Sequence, residues 1–172
     1  MPGPTGPILA GERVVLRPLA RSDAAPLGAI LERPEVARWW VTTTVEATVD
    51  ELYWDDHAGF TVELEGVVIG YIQYVEEDAQ DYRHAGIDVF LDATLHGRGL
   101  GSDAIRTLAR HLFDARGHHR LTIDPAAANE HAIRAYGRVG FRPVGVMRSY
   151  ERGPDGSWHD GLLMDLLAGE LT

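Results

Sequence analysis

Between Leu95 and Gly117 the chain reads LHGRGLGSDAIRTLARHLFDARG, three glycines alternating with basic and apolar residues before a stretch with helical spacing. Glycines this dense ahead of a helix let backbone N–H groups approach an anion, and the helix start adds positive potential. Arg98 puts a cation into the same turn. Flanking it in sequence are carboxylates (Asp88, Asp124, Glu151), a tyrosine (Tyr136) and a Trp39-Trp40 pair. Carboxylates hold cations or take protons, a phenol holds a proton until a base needs it, and an indole covers a flat face. The chemistry implied is an anionic ligand in the turn and a second, cationic reactant beside it.

Composition narrows the field. The chain has 172 residues, a net charge of −10 and no cysteine. That length suits one domain with a real core. The acidic excess disfavours a nucleic-acid partner and suits either solubility or a cationic substrate. Without cysteine there is no disulfide, thiolate metal site or thiol nucleophile, and the eight histidines form no H-E-x-x-H, so no metal is expected. No apolar run reaches eighteen residues, so no membrane span is expected. The start, MPGPTGPILAGE, has no basic and apolar signal regions and reads as a flexible arm over 1–12, with one domain over 13–172 and a cytoplasmic setting.

The elements that must position these residues follow from periodicity. Residues 13–19 alternate as a strand, 22–32 and 45–56 read as helices, and 60–77 as a hairpin turning at Glu65-Gly66. Residues 84–92 form a further strand. The helix after the glycines puts Ile105, Leu108, Leu112 and Phe113 on one face. A strand over 120–124, a helix over 129–140 ended by Gly140, and two closing strands around GPDG complete a mixed α/β order. The pair His118-His119 reads as a surface turn. The acids in EEDAQD (76–81) are either a solvated loop or further charge near the cleft.

The turn formally matches two nucleotide motifs. Gly99-Leu-Gly101-Ser-Asp-Ala104, with Asp124 twenty residues past Ala104, fits a dinucleotide fingerprint. Against it, DATLH separates the strand from the first glycine, antiparallel strands precede it, and too little chain follows. No Gly-Lys-Ser/Thr exists for a P-loop. The alternative, His96-Gly97-Arg98-Gly99-Leu100-Gly101 opening a helix straight after a strand, resembles the GNAT acetyltransferase superfamily. The segment Asn129, Ala132, Tyr136, Gly140 and Phe141 resembles that family's N-x-x-A-x-x-x-Y-x-x-x-G-F. The resemblance implies the GNAT α/β fold, a mixed, largely antiparallel twisted sheet flanked by helices, with acetyl-CoA as cosubstrate. It places the pyrophosphate on the loop His96–Gly101, the pantetheine arm along Asn129 and Tyr136, further coenzyme contacts at Val89, Phe90, Leu91 and Ser102, and a general acid at Tyr136. His96 stands where the family more often has Arg or Gln.

Four features narrow the resemblance to aminoglycoside 6′-N-acetyltransferases: the Trp39-Trp40 pair, Gly86-Ile87-Asp88, Asp124-Pro125 ahead of Asn129, and the late acid Glu151. That likeness implies Trp40, Asp88, Asp124 and Glu151 as acceptor-binding residues for a small polycationic amine. The expected reaction is direct attack of the amine on the thioester in a ternary complex. Asp88 receives the amine's proton or orients it, and a backbone N–H within 88–91 holds the oxyanion. The tail MRSYERGPDGSWHDGLLMDLL also resembles ribosomal-protein N-terminal acetyltransferases, which makes a peptide α-amine the alternative acceptor. A non-catalytic acetyl-CoA-binding module is a third reading, which the presence of Asp88 and Tyr136 disfavours. Either a monomer or a homodimer is compatible with the sequence.

Overall fold

The computed structural model describes residues 6–40 and 58–172, so the helix expected over 45–56 lies outside the described residues. Strands β1 (Leu9–Ala10) and β2 (Val14–Pro18) lead through a 3-10 turn at Arg21–Asp23 into helices α1 (Ala24–Leu31) and α2 (Pro34–Ala37). After them come β3 (Ala58–Leu64), β4 (Val67–Glu77) and β5 (His84–Leu91), then helix α3 (Leu100–Asp114) and β6 (Arg120–Ile123). Helix α4 (Glu130–Val139) and the hairpin of β7 (Arg142–Arg152) and β8 (Trp158–Leu167) close the chain. The eight strands among the described residues form one sheet in the order β1-β2-β3-β4-β5-β6-β8-β7. Every neighbouring pair is antiparallel except β5 with β6. None of the described helices is long and apolar enough to cross a membrane.

Local sequence explains the register. Glu65 (φ 52°) and Gly66 (φ 80°) both adopt positive φ, the turn whose twist matches a two-residue hairpin. The β4–β5 register sets Tyr71 opposite Phe90 and Gln73 opposite Asp88. Side chains alternate across the sheet. Ala85 and Ile87 pack with Ile105, Leu108 and Leu112 of α3, while Tyr71 and Phe90 pack with Leu27 and Leu31 of α1. Both faces of β5 are thereby committed to core, and Asp88 interrupts the apolar pattern.

The parallel ladder between β5 and β6 is short. It comprises Ala85↔Leu121 and Gly86↔Thr122, after which the two strands part. Past Gly86 the chain carries Asp88 on one side of the opening, and past Ile123 it carries Asp124 on the other.

The loose arm expected over 1–12 is corrected at its end: Leu9 and Ala10 pair with Leu16 and Val15. What ties it down is Asp103 in the first turns of α3. Its buried carboxylate accepts N–H bonds from Glu12 (3.0 Å), Arg13 (2.8 Å) and Val14 (3.0 Å). Gly11 is required there, because a Cβ would stand 2.6 Å from Thr107 Oγ1 and 2.9 Å from the Asp103 carboxylate. His118, expected in a surface turn, is instead buried, with Nε2 2.7 Å from Glu76 Oε1. Glu76 also receives Arg116, which with His118 pulls its carboxyl down to about 2 against the opposing effect of burial. Glu77 accepts the Ala79 N–H. These two acids of the 76–81 stretch are thus engaged away from the cleft. Replacing Asp103 with Ala removes three charge-assisted acceptor contacts and is expected to lower the unfolding free energy by about 2–4 kcal/mol. Urea denaturation of Asp103→Ala against the wild type checks this, and a change within error would contradict it.

Candidate active site

Two cavities open where β5 and β6 part. The first, about 640 Å³, runs from the end of β5 over the glycine turn to the start of α4. The second, about 770 Å³, lies between β4, β5, the end of β6 and the bend in β7. They share Trp39, Trp40, Val89, Asn129 and Tyr136 as wall residues. Ligands in the two spaces would therefore meet beside Tyr136.

The first cavity has the properties of an anion cradle. Gly97 (φ 76°) and Gly99 (φ 77°) sit in the left-handed region, where L side chains are strained. A Cβ at either would meet nothing within 4 Å, so this face of the backbone is open to a ligand. Gly99 provides no side-chain cap for α3, and the first helical bond runs from Asp103 N to Gly99 O at 3.0 Å. The N–H groups of Leu100, Gly101 and Ser102 therefore have no acceptor within the helix. Three convergent donors at the N-terminus of a fifteen-residue helix suit a pyrophosphate. The residues present thus fit the coenzyme that the family resemblance implies.

The remaining coenzyme-side residues differ in what they offer. Val89, Phe90 and Leu91 all line this cavity; Val89 and Leu91 pack toward α3, while the Phe90 ring packs against Trp40 and Tyr71. His96 stacks on His131 with ring centres 5.3 Å apart, and its Nε2 lies 3.3 Å from Leu91 O. Ser102 Oγ donates to Ala135 O at 3.4 Å. Asn129 caps α4 by accepting the Ala132 N–H at 3.2 Å. Arg98 is the exception. It is exposed and outside the lining, and its carbonyl accepts from Arg13 at 2.8 Å.

The second cavity gathers the three acids singled out in the sequence, Asp88, Asp124 and Glu151. Gln73 Nε2 donates to Asp88 Oδ2 at 3.1 Å, fixing that carboxylate. The Tyr150 hydroxyl donates to Asp124 Oδ2. That bond, together with partial burial and the surrounding acids, pushes the Tyr150 phenol up to about 12. Burial, then repulsion from Asp124 and Asp88, raises the Glu151 carboxyl above its ordinary range. Burial, with the same two aspartates adding, drives the Tyr136 phenol well above its usual value, so it keeps its proton throughout the working pH range. The acids feel one another across a common space. Trp40 closes one side, its ring edge-on to Phe90 at 4.9 Å.

Among the lining residues without a role in the sequence reading, Trp39, Gln73 and Tyr150 carry polar or aromatic groups that shape this cavity. Gln73 carries a visible signal, a lone amide in the apolar run VVIGYIQYV. Tyr150 carries none, because it depends on a bulge in β7 between Met147 and Glu151. There Ser149 takes φ 49°, its N–H held by Asp160 Oδ1 at 2.8 Å. The bulge re-aims Tyr150 and Glu151 at the cleft. Gly161 makes room, since a Cβ on it would stand 2.8 Å from Tyr150 Cδ1. Among the described residues, no group of three His, Cys, Asp or Glu side chains is arranged to hold a metal ion.

A splayed parallel strand pair, an uncapped helix behind a glycine turn and a tyrosine at the junction of two cavities define an acyl-transfer scaffold. Residues 13–142 match the family model described as an acetyltransferase (GNAT) domain, and the chain belongs to that family. It is 30% identical over 166 residues to the aminoglycoside N(6′)-acetyltransferase type 1 of Klebsiella pneumoniae, covering 86% of this chain and 81% of that protein. It is 29% identical over 142 residues to the spermidine N(1)-acetyltransferase of Escherichia coli strain K12, covering 78% of this chain and 75% of that protein. Among solved structures, Mycobacterium smegmatis RimJ in complex with CoA-disulfide superposes with a TM-score of 0.81 at 25% identity, over 96% of this chain and 88% of that one. Acetyltransferases of this family use acetyl-CoA.

The raised Glu151 carboxyl has a pH consequence. It becomes charged only at a pH above that of an ordinary glutamate, so attraction for a cationic acceptor is gained as pH rises through that point and lost below it. The acid limb of kcat/KM for a polycationic acceptor should therefore include Glu151. Glu151→Gln should move that limb to lower pH while leaving the acetyl-CoA KM unchanged. An unaltered limb in the pH profile would contradict the assignment.

Proposed function

We propose that this chain transfers the acetyl group of acetyl-CoA to an amine of an aminoglycoside-type polycation, the 6′-amine by resemblance, by direct attack in a ternary complex. The observation that carries this is the set of three mutually repelling carboxylates, Asp88, Asp124 and Glu151, around one Trp-walled cavity adjoining the coenzyme cradle. A small polycation relieves that repulsion at several points at once. Each partly desolvated ammonium–carboxylate contact contributes about 1.5–3 kcal/mol. Similarity to relatives named for aminoglycoside and spermidine acetylation supports a small amine acceptor.

In this reading the N–H groups of Leu100–Ser102 bind the coenzyme pyrophosphate, and Asn129 and Val89 border its pantetheine arm. Bound acetyl-CoA supplies the activated thioester. Asp88, held by Gln73, takes the proton of the incoming ammonium directly or through a water, leaving a neutral nitrogen to form the C–N bond. A backbone N–H of the 88–91 stretch holds the charge that builds on the carbonyl oxygen. As the C–S bond breaks and the thiolate leaves, the second proton on the attacking nitrogen passes to solvent, and the leaving sulfur would be faced by Tyr136. Its raised pKa makes complete transfer to a thiolate of ordinary basicity uphill, which favours hydrogen-bond donation to the sulfur. An ammonium lodged between Asp88 and Asp124 offsets the repulsion that adds to that rise.

A peptide α-amine is the second reading, and one observation favours it. Strand β7 lies at the sheet edge with Val144 and Val146 exposed, a feature an extended peptide uses. Thiol release from acetyl-CoA at pH 7.5, with kanamycin, tobramycin, spermidine and an N-terminal Ser/Ala peptide offered separately, decides between them. The expected result is turnover with the aminoglycosides, reduced at least a hundredfold in Asp88→Asn. Tyr136→Phe is expected to lower kcat about 10²-fold with little change in acceptor KM. Turnover with the peptide alone would overturn the aminoglycoside assignment.

A further inference from the structure

A third cavity, about 460 Å³, lies beyond the acceptor site and shares Trp39, Ala126 and Glu151 with it. Its volume is within the range of small-molecule sites. The far wall comes from the β7–β8 hairpin, where Pro154, Trp158 and Asp160 contribute. Trp158 exposes 63% of its surface, an unusual placement for the largest side chain in a soluble domain. The floor is held by main-chain bonds: Ala126 bridges Gly161, and Ala127 N donates to Asp160 O at 2.8 Å. Asp160 also anchors the bulge that aims Tyr150 and Glu151, so one carboxylate braces the boundary between the two cavities. Two basic groups border the cavity, one of them over a face of Trp39. Arg38 lies 5.1 Å over the Trp39 ring, and His159 Nε2 is 2.9 Å from Asp155 Oδ1.

We propose that this cavity is a distal acceptor subsite that takes an amino-sugar ring remote from the reacting amine, between the indoles of Trp158 and Trp39 and the carboxylates of Glu151 and Asp160. A saccharide ring presents a C–H face to an indole, and its ammonium groups are drawn both to aromatic faces and to carboxylates. Glu151 stands on the shared wall, so it faces ligand from both sides. The consequence is selectivity by length: an acceptor of three rings reaches the subsite, whereas one of two rings is confined to the cavity of Asp88 and Asp124. The inference rests on the aminoglycoside reading of the acceptor site.

Kanamycin B and its two-ring fragment neamine share the reacting ring, which makes them a matched pair of probes. Trp158→Ala is expected to raise the KM for kanamycin B at least fivefold, with kcat within twofold, while leaving the KM values for neamine and acetyl-CoA within twofold. Trp158→Tyr, which keeps an aromatic face, should recover most of the loss. Equal KM increases for both acceptors, or none for either, would overturn the subsite while leaving the aminoglycoside reading in place. A wild-type enzyme that turns over neither aminoglycoside but acetylates spermidine or the peptide would overturn that reading and the subsite with it.

Discussion

The parting of β5 and β6 after two paired residues is the constraint on which the rest of the site depends. A parallel pair continued to the ends of both strands would close the sheet and leave no space at its centre. Because the ladder stops at Gly86, the next residues of β5 border open space, and the helices that follow β5 and β6 deliver their N-terminal ends to it. Helix α3 brings uncapped donors. Helix α4 brings Asn129 and, two turns on, Tyr136. Opposite edges of one opening thus become the walls of two cavities, which meet at Tyr136.

Electrostatics then divides the labour between those cavities. One end carries helix-terminal N–H groups and suits an anion. The other concentrates Asp88, Asp124 and Glu151; burial and then repulsion from the two aspartates raise the Glu151 carboxyl, and the same aspartates add to the burial-driven elevation of Tyr136. Clustered carboxylates are destabilising unless bonded or partnered, and this chain bonds two of them internally, Asp88 by Gln73 and Asp124 by Tyr150. Those bonds orient the acids while leaving net charge for a cation. The scaffold is braced elsewhere by a different carboxylate. Asp103 ties the β1–β2 turn to α3, the helix whose uncapped N-terminus borders the first cavity.

Much of this was legible in the sequence, for identifiable reasons. The glycine turn announced itself because positive φ at Gly97 and Gly99 admits few alternatives to glycine, and the helix behind it has a clear apolar period. Asp88 stood out as a charge in an apolar strand, and Asn129, Tyr136 and Gly140 keep a family spacing. What escaped depends on geometry that local pattern does not encode. Tyr150 reaches the cleft beside Glu151 through a bulge at Ser149 held by Asp160, eleven residues further on, and cleared by Gly161. His118 looked exposed because its neighbours are polar, yet Glu76, 42 positions earlier, draws it inside. Leu9 and Ala10 pair with β2 next to a turn that Asp103 secures from 90 residues away, a contact invisible to any short window.

The most direct test of the account is a crystal structure of the complex with CoA and kanamycin B. The predicted result has the pyrophosphate within hydrogen-bond distance of the Leu100, Gly101 and Ser102 N–H groups, and the reacting amine between Asp88 and the CoA sulfur with Tyr136 alongside. A pyrophosphate bound away from the start of α3, or an aminoglycoside seated outside the cavity of Asp88, Asp124 and Glu151, would contradict it.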